Sequence, residues 1–139
     1  MATFNKFNSF VADLAQKVHN LNTDTLKILL TNTAPVAANT VKANITEIAA
    51  GNGYTAGGLT ASLVSAAQTA GLYKLVLSPV AFVAAGGNIG PFEWAVLYNS
   101  TAASGNLIGW WDYGTAITLT NGNTFTVALD QTNGTLQLQ

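Results

Sequence analysis

The second half of the chain is a series of apolar runs interrupted by turn-forming dipeptides. From Leu72 onward, stretches rich in Val, Ile, Leu, Phe, Trp and Tyr are separated by Gly86-Gly87, Ser104-Gly105, Asn121-Gly122 and Asn133-Gly134. Glycine and asparagine reach the positive φ angles of tight turns at little steric cost, while β-branched and aromatic side chains suit a pleated strand. This rhythm therefore describes an antiparallel sheet. Strands are expected near Ala61 to Gln68, Leu72 to Leu77, Val80 to Ala84, Phe92 to Tyr98, Leu107 to Tyr113, Thr115 to Thr120, Thr124 to Asp130 and Thr135 to Leu138. The pattern is plainest where Phe125, Val127 and Leu129 alternate with Thr124, Thr126 and Ala128, the two-residue period that sends alternate side chains to opposite faces. Asn121-Gly122 and Asn133-Gly134 stand where two-residue turns are wanted, so a hairpin meander is expected to close the chain.

The first half reads differently. Phe4, Phe7, Phe10, Val11, Leu14 and Val18 recur at three- and four-residue spacing, which predicts an amphipathic helix from about Thr3 to Val18 with a phenylalanine stripe on its apolar face. Leu26 to Thr31 (LKILLT) reads as a strand with a mostly buried face, ended before Pro35. Residues 33–58 are the least regular part. They hold a candidate short helix at Ile45 to Ala50 and then Gly51, Gly53, Gly57 and Gly58, and read as a long loop, which in a compact domain usually serves a site or a partner. The whole predicts one domain over residues 1–139: a helix within 1–20, the loop at 33–58 and antiparallel strands over 61–139. The class is mainly β, an antiparallel β-sandwich of jelly-roll type carrying an N-terminal amphipathic helix.

Composition narrows the function. Charged residues make up 8% of the 139 residues, against about 25% in ordinary soluble domains, so the surface must be built from Asn, Thr, Ser, Gln, Gly and Ala. A formal net charge of -1 supplies no electrostatic footprint for phosphates, the chain has no arginine to fork onto them, and nucleic acid is not an expected partner. Low charge also means little repulsion between copies, so the surface tolerates self-association. Cysteine is absent, which removes disulfides, thiolate chemistry and cysteine metal sites. No apolar run approaches the roughly 18 to 20 residues of a membrane span, and residues 1–10 have neither the basic nor the apolar region of a secretory signal; a soluble protein made in the cytosol is expected.

Few side chains are candidates for chemistry. His19 is the only histidine and falls at the end of the expected helix, where an imidazole caps carbonyls. Glu93 and Asp112 are the carboxylates flanked by aromatics, in PFEW and WWDY; on neighbouring strands they would be candidates for the paired acids of a glycosidase. The simpler reading gives each an outward position or a turn to cap. Trp110 and Trp111 are adjacent, so on a strand they face opposite ways and one belongs to the core. The glycine-rich stretches 51–58 and 86–90 lack the lysine and hydroxyl residue of a phosphate loop and read as turns. No catalytic, cofactor or metal residue is assigned, and no enzyme is expected.

Three ordered stretches carry a further signal: Thr40 to Gly58 (TVKANITEIAAGNGYTAGG), Gly90 to Asn99 (GPFEWAVLYN), and Leu107 to Gly114 (LIGWWDYG). With the opening segment and the closing DQTNG, they resemble a family of small virion proteins of tailed bacteriophages. Some members are similar to capsid decoration, or cement, proteins. The resemblance implies a structural protein of the virion, located on the capsid surface and made in the host bacterial cytoplasm. It also implies the major capsid protein as partner and self-association, commonly as a homotrimer. A tail- or fibre-associated structural protein, with host glycan as a ligand, is the alternative. Aromatic residues are enriched at protein interfaces, so the interface candidates are Phe4, Phe7, Phe10, Tyr54, Trp94 and Trp110.

Overall fold

The computed structural model describes residues 1–139. The chain is mainly β, with antiparallel sheets and one short helix near its N-terminus. Strand β1 spans Phe4–Lys6, helix α1 Ser9–Ala15, β2 Leu26–Thr31, β3 Leu59–Thr60, β4 Leu63–Thr69, β5 Leu72–Leu77, β6 Val80–Val83, β7 Ile89–Asn99, β8 Leu107–Leu119, β9 Thr124–Val127 and β10 Leu136–Leu138. The largest sheet has the order β1-β8-β7-β2-β3; a second has β10-β5-β4, and β6 and β9 form a separate pair.

The layout is sandwich-like. Ile28, Leu30, Ala95, Leu97 and Trp111 on one face of the large sheet meet Leu75, Leu77, Phe82, Val127 and Leu136 from the smaller sheets in a single core. Strand β2 is buried along almost its whole length, which is why it reads as a nearly unbroken apolar run. The opposite face of the large sheet carries a second, smaller cluster of Phe7, Leu29, Val96, Tyr98 and Leu107, with Ile45 and Trp110 against it. The long loop serves both faces: Ile45 packs on this outer cluster, while Tyr54 joins the main core and Ile48 packs against it.

Three expectations are corrected. The N-terminal helix covers only Ser9–Ala15, because Phe4–Lys6 is drawn into the edge of β8, with Phe4 opposite Trp111 and the Phe7 N–H donating to the Ile108 carbonyl at 3.1 Å. A seven-residue helix has little stability of its own, and this one is held by Phe10, which is fully buried. The three phenylalanines share no stripe: Phe4 and Phe10 join the main core while Phe7 enters the cluster on the other side. Second, the loop holds a single 3-10 turn at Lys42–Asn44, and the expected helix at Ile45 to Ala50 is absent. There the backbone is captured by β2: the Ile48 N–H donates to the Leu30 carbonyl, and Glu47 bridges to Thr31. Third, no meander closes the chain. Asn121-Gly122 joins β8 to β9, which pairs with β6, and Asn133-Gly134 leads into β10, which pairs with β5. Both are turns, but they carry the chain between sheets.

Candidate functional site

The segment 33–58 is where the few charged groups are used. Glu47 Oε1 accepts hydrogen bonds from the Tyr54 hydroxyl at 2.7 Å and the Gly57 N–H at 2.5 Å, while Oε2 lies 3.0 Å from the Lys42 ammonium. The Tyr54 hydroxyl in turn accepts from the Leu30 N–H on β2 at 3.1 Å, and the Tyr98 hydroxyl on β7 donates to the Gly57 carbonyl at 2.7 Å. One carboxylate thus ties both ends of the loop to each other and, through two tyrosines, to the central sheet. Burial drives the Tyr54 hydroxyl far above its usual range; the Leu30 N–H it accepts opposes the shift and neighbouring Glu47 adds to it. Tyr98 is raised by the same two causes, burial and then Glu47. Both phenols therefore stay protonated and keep donating. At the far end, Gly58 has φ +71° and lies so close to the Ile28 carbonyl that a Cβ has no room, which seats the loop directly on β2.

The outer surface of this segment is uniform. Lys42 and Glu47 are its only charges and they pair with each other, so every exposed residue between 32 and 58 is uncharged, drawn mainly from Ala, Thr, Asn and Gly. Glu47 anchors this segment, a role that the sequence reading missed. The available signal was a lone carboxylate in a loop whose only other charge is Lys42, with a tyrosine seven residues on.

The six interface candidates are not brought together. Phe7 and Phe10 are fully buried and Tyr54 is buried and hydrogen-bonded, so none of these three is available to a partner in this conformation. Phe4 is half-buried against Trp111, with ring centroids 5.1 Å apart. Trp94 is half-buried on β7, opposite Thr31 and Asp112. Trp110 is half-buried with its ring 4.5 Å from that of Phe7, while Trp111 lies in the core, the division expected of adjacent strand residues.

His19 departs from its expected capping role. It is 4% exposed, and the Asn99 amide donates to its Nδ1 at 3.1 Å and to Asp24 Oδ2 at 2.6 Å. The neutral ring then carries its proton on Nε2, which has no hydrogen-bond partner and lies 3.9 Å from Asp13 Oδ2. Burial pulls its pKa below the ordinary histidine value, with Asp13 and Asp24 opposing. A groove of about 450 Å³ runs past it, lined by Leu14, Lys17, Leu21, Tyr73 and Leu138 among others, but the imidazole itself is closed off.

Glu93 and Asp112 do fall on neighbouring strands, since Trp94 pairs with Asp112. Asp112 is exposed and accepts from the Gly114 N–H at 2.7 Å within β8, and neither carboxylate lines a surface groove. No three His, Asp or Glu side chains converge in a way that would hold a metal, and no helix is long and apolar enough to cross a membrane. Comparison of the chain with protein-family models, with curated proteins and with solved structures finds no match.

Proposed function

We propose that this chain is a structural protein of a tailed-bacteriophage virion that decorates the head, binding the assembled shell of the major capsid protein and stabilising it. The observation that carries this reading is the outer surface of residues 33–58: uncharged, built from short side chains and pinned to the sheet through Glu47, Tyr54 and Gly57. Docking such a surface orders few rotamers and strips no unpaired charge, so little of the contact energy is lost to entropy or desolvation. A uniform surface of this kind suits a broad, flat partner better than a small ligand, which is held in a concave pocket with a few fixed polar groups. The resemblance of the sequence to phage decoration proteins points the same way and adds the homotrimer as the expected form.

Stabilisation follows from mass action. A ligand that binds only the intact lattice stabilises it by RT ln(1 + [L]/Kd) at each site, and many sites multiply a modest term. The test is to mix the purified protein with expanded capsids that lack it. Co-sedimentation with the shells, together with a rise in their melting temperature, supports decoration. Shells that neither bind the protein nor gain stability refute it, and antibody labelling of tails in intact virions would move the assignment to the tail or fibre.

A further inference from the structure

The sheets of this protein end in several edges, and most of the edge strands are short. Strand β3 has two residues, β1 and β10 have three each, and β6 and β9 have four. Two longer free stretches remain: β8 beyond Trp111, where β1 stops and register shifts against β7 break the edge, and β4, seven residues long, bonded to β5 on one side and to nothing on the other. All of its residues except Ala66 are exposed. Natural edge strands are usually guarded by lysine, proline or brevity, because a free row of N–H and C=O groups recruits another strand. The sequence LVSAAQT carries no charge and no proline, and its only irregularity is a bulge between Leu63 and Ser65.

We infer that β4 is a pairing edge for β4 of a second copy, running antiparallel about a twofold axis. The inference does not depend on the proposed function. An antiparallel edge is its own hydrogen-bonding complement, which makes an identical strand a natural occupant and gives a closed, isologous contact. The part of β4 in regular register with β5, Ser65 to Thr69, is centred on Ala67. Pairing about that residue sets Ala67 beside its mate and Ser65 beside Thr69, all small and uncharged, so no like charges meet across the axis. Lys74, opposite Ala67 on β5, is directed away to the Thr132 carbonyl, 2.8 Å from its ammonium. Leu63 and Val64, which are 43% and 58% exposed, flank the pairing and add apolar area to the contact. The joined sheet would run β10-β5-β4-β4-β5-β10.

The absence of cysteine makes the test clean. Opposed residues in an antiparallel pair have Cα atoms about 4.5–5.5 Å apart, within reach of a disulfide. Mild oxidation of the full-length Ala67→Cys variant should give a covalent dimer on a non-reducing gel. Thr115→Cys, exposed on β8, should not. In parallel, the double variant Ser65→Lys with Thr69→Lys places lysine against lysine on both sides of the axis, while within one copy Val76 and Leu72 stand directly opposite and Lys74, diagonal to both, is held by the Thr132 carbonyl. Its mass by sedimentation should be half that of the unaltered chain, with the same circular dichroism spectrum. The inference is overturned if the two masses agree, a trimer included, or if Ala67→Cys cross-links no better than Thr115→Cys.

Discussion

The loop over 33–58 exposes no charged residue and the hairpin formed by β4 and β5 carries only Lys74, yet the two are held in opposite ways. The loop has little regular secondary structure and is fixed by side chains: Glu47 reaches Tyr54, Gly57 and Lys42, and Tyr54 and Tyr98 reach the sheet. The hairpin is regular, with Ala70 and Gly71 both at positive φ in a tight turn, but β4 is nearly all exposed and only β5 and Ala66 reach the core. Regularity and anchorage are therefore separate properties. A segment with little helix or strand can be the better-fixed surface when a half-buried carboxylate bonds its backbone, and a well-formed strand can be the looser one when half its hydrogen-bonding groups face solvent.

Substitutions that strike the anchored side should cost most. Trp111→Ala, which empties a core position beside Phe4, is expected to lower unfolding free energy by about 3–5 kcal/mol in urea titration. Gly58→Ala meets both an unfavourable positive φ and the Ile28 carbonyl, and should cost roughly 3 kcal/mol. Glu47→Ala leaves the Tyr54 proton and the Gly57 N–H without acceptors and should cost about 2–4 kcal/mol, whereas Lys42→Met, at the more exposed end of the ion pair, should cost less than about 1 kcal/mol. If Lys42→Met proved as damaging as Glu47→Ala, the ion pair and not the tyrosine and backbone bonds would be the anchor.

A pH dependence comes next in size. The folded-state pKa of His19 is depressed, so the unfolded chain takes up the proton more readily. Its contribution to stability is complete above the ordinary histidine pKa and is lost as pH falls from there through the depressed folded value. Urea midpoints of the unaltered protein should drop across this window, and His19→Gln should remove that part of the slope. On the hairpin, Val64→Thr should change stability by no more than about 0.5 kcal/mol, since the side chain is exposed. A larger loss in dilute protein would mean that β4 is anchored after all.

Much of the strand layout was legible. Leu26–Thr31 and Leu72–Leu77 match their expected bounds because apolar content, β propensity and flanking turn residues all agree there. The phenylalanines misled because a spacing of three also fits a strand that turns into a helix, and only the edge of β8, a hundred residues on, decides between the two. The Asn-Gly turns were visible, but which strand each neighbouring strand would pair with is a long-range choice that a turn does not encode. Glu47 was hidden for the same reason: its role depends on Leu30 and Tyr98 as well as on its neighbours. Half of the proposed contact residues proved to be core, since in a chain this poor in charge large aromatics are needed inside, and the available surface falls to Ala, Thr, Asn and Gly.

The measurement that bears most directly on the prebuilt loop surface is native-state hydrogen exchange on the free protein and on Glu47→Ala. The amides of Ile48, Tyr54 and Gly57 should exchange as slowly as those of β2 and β7 in the unaltered chain, and should become fast in the variant while β7 stays protected. Fast exchange at all three in the unaltered protein, with β2 and β7 still protected, would contradict a surface held ready for its partner.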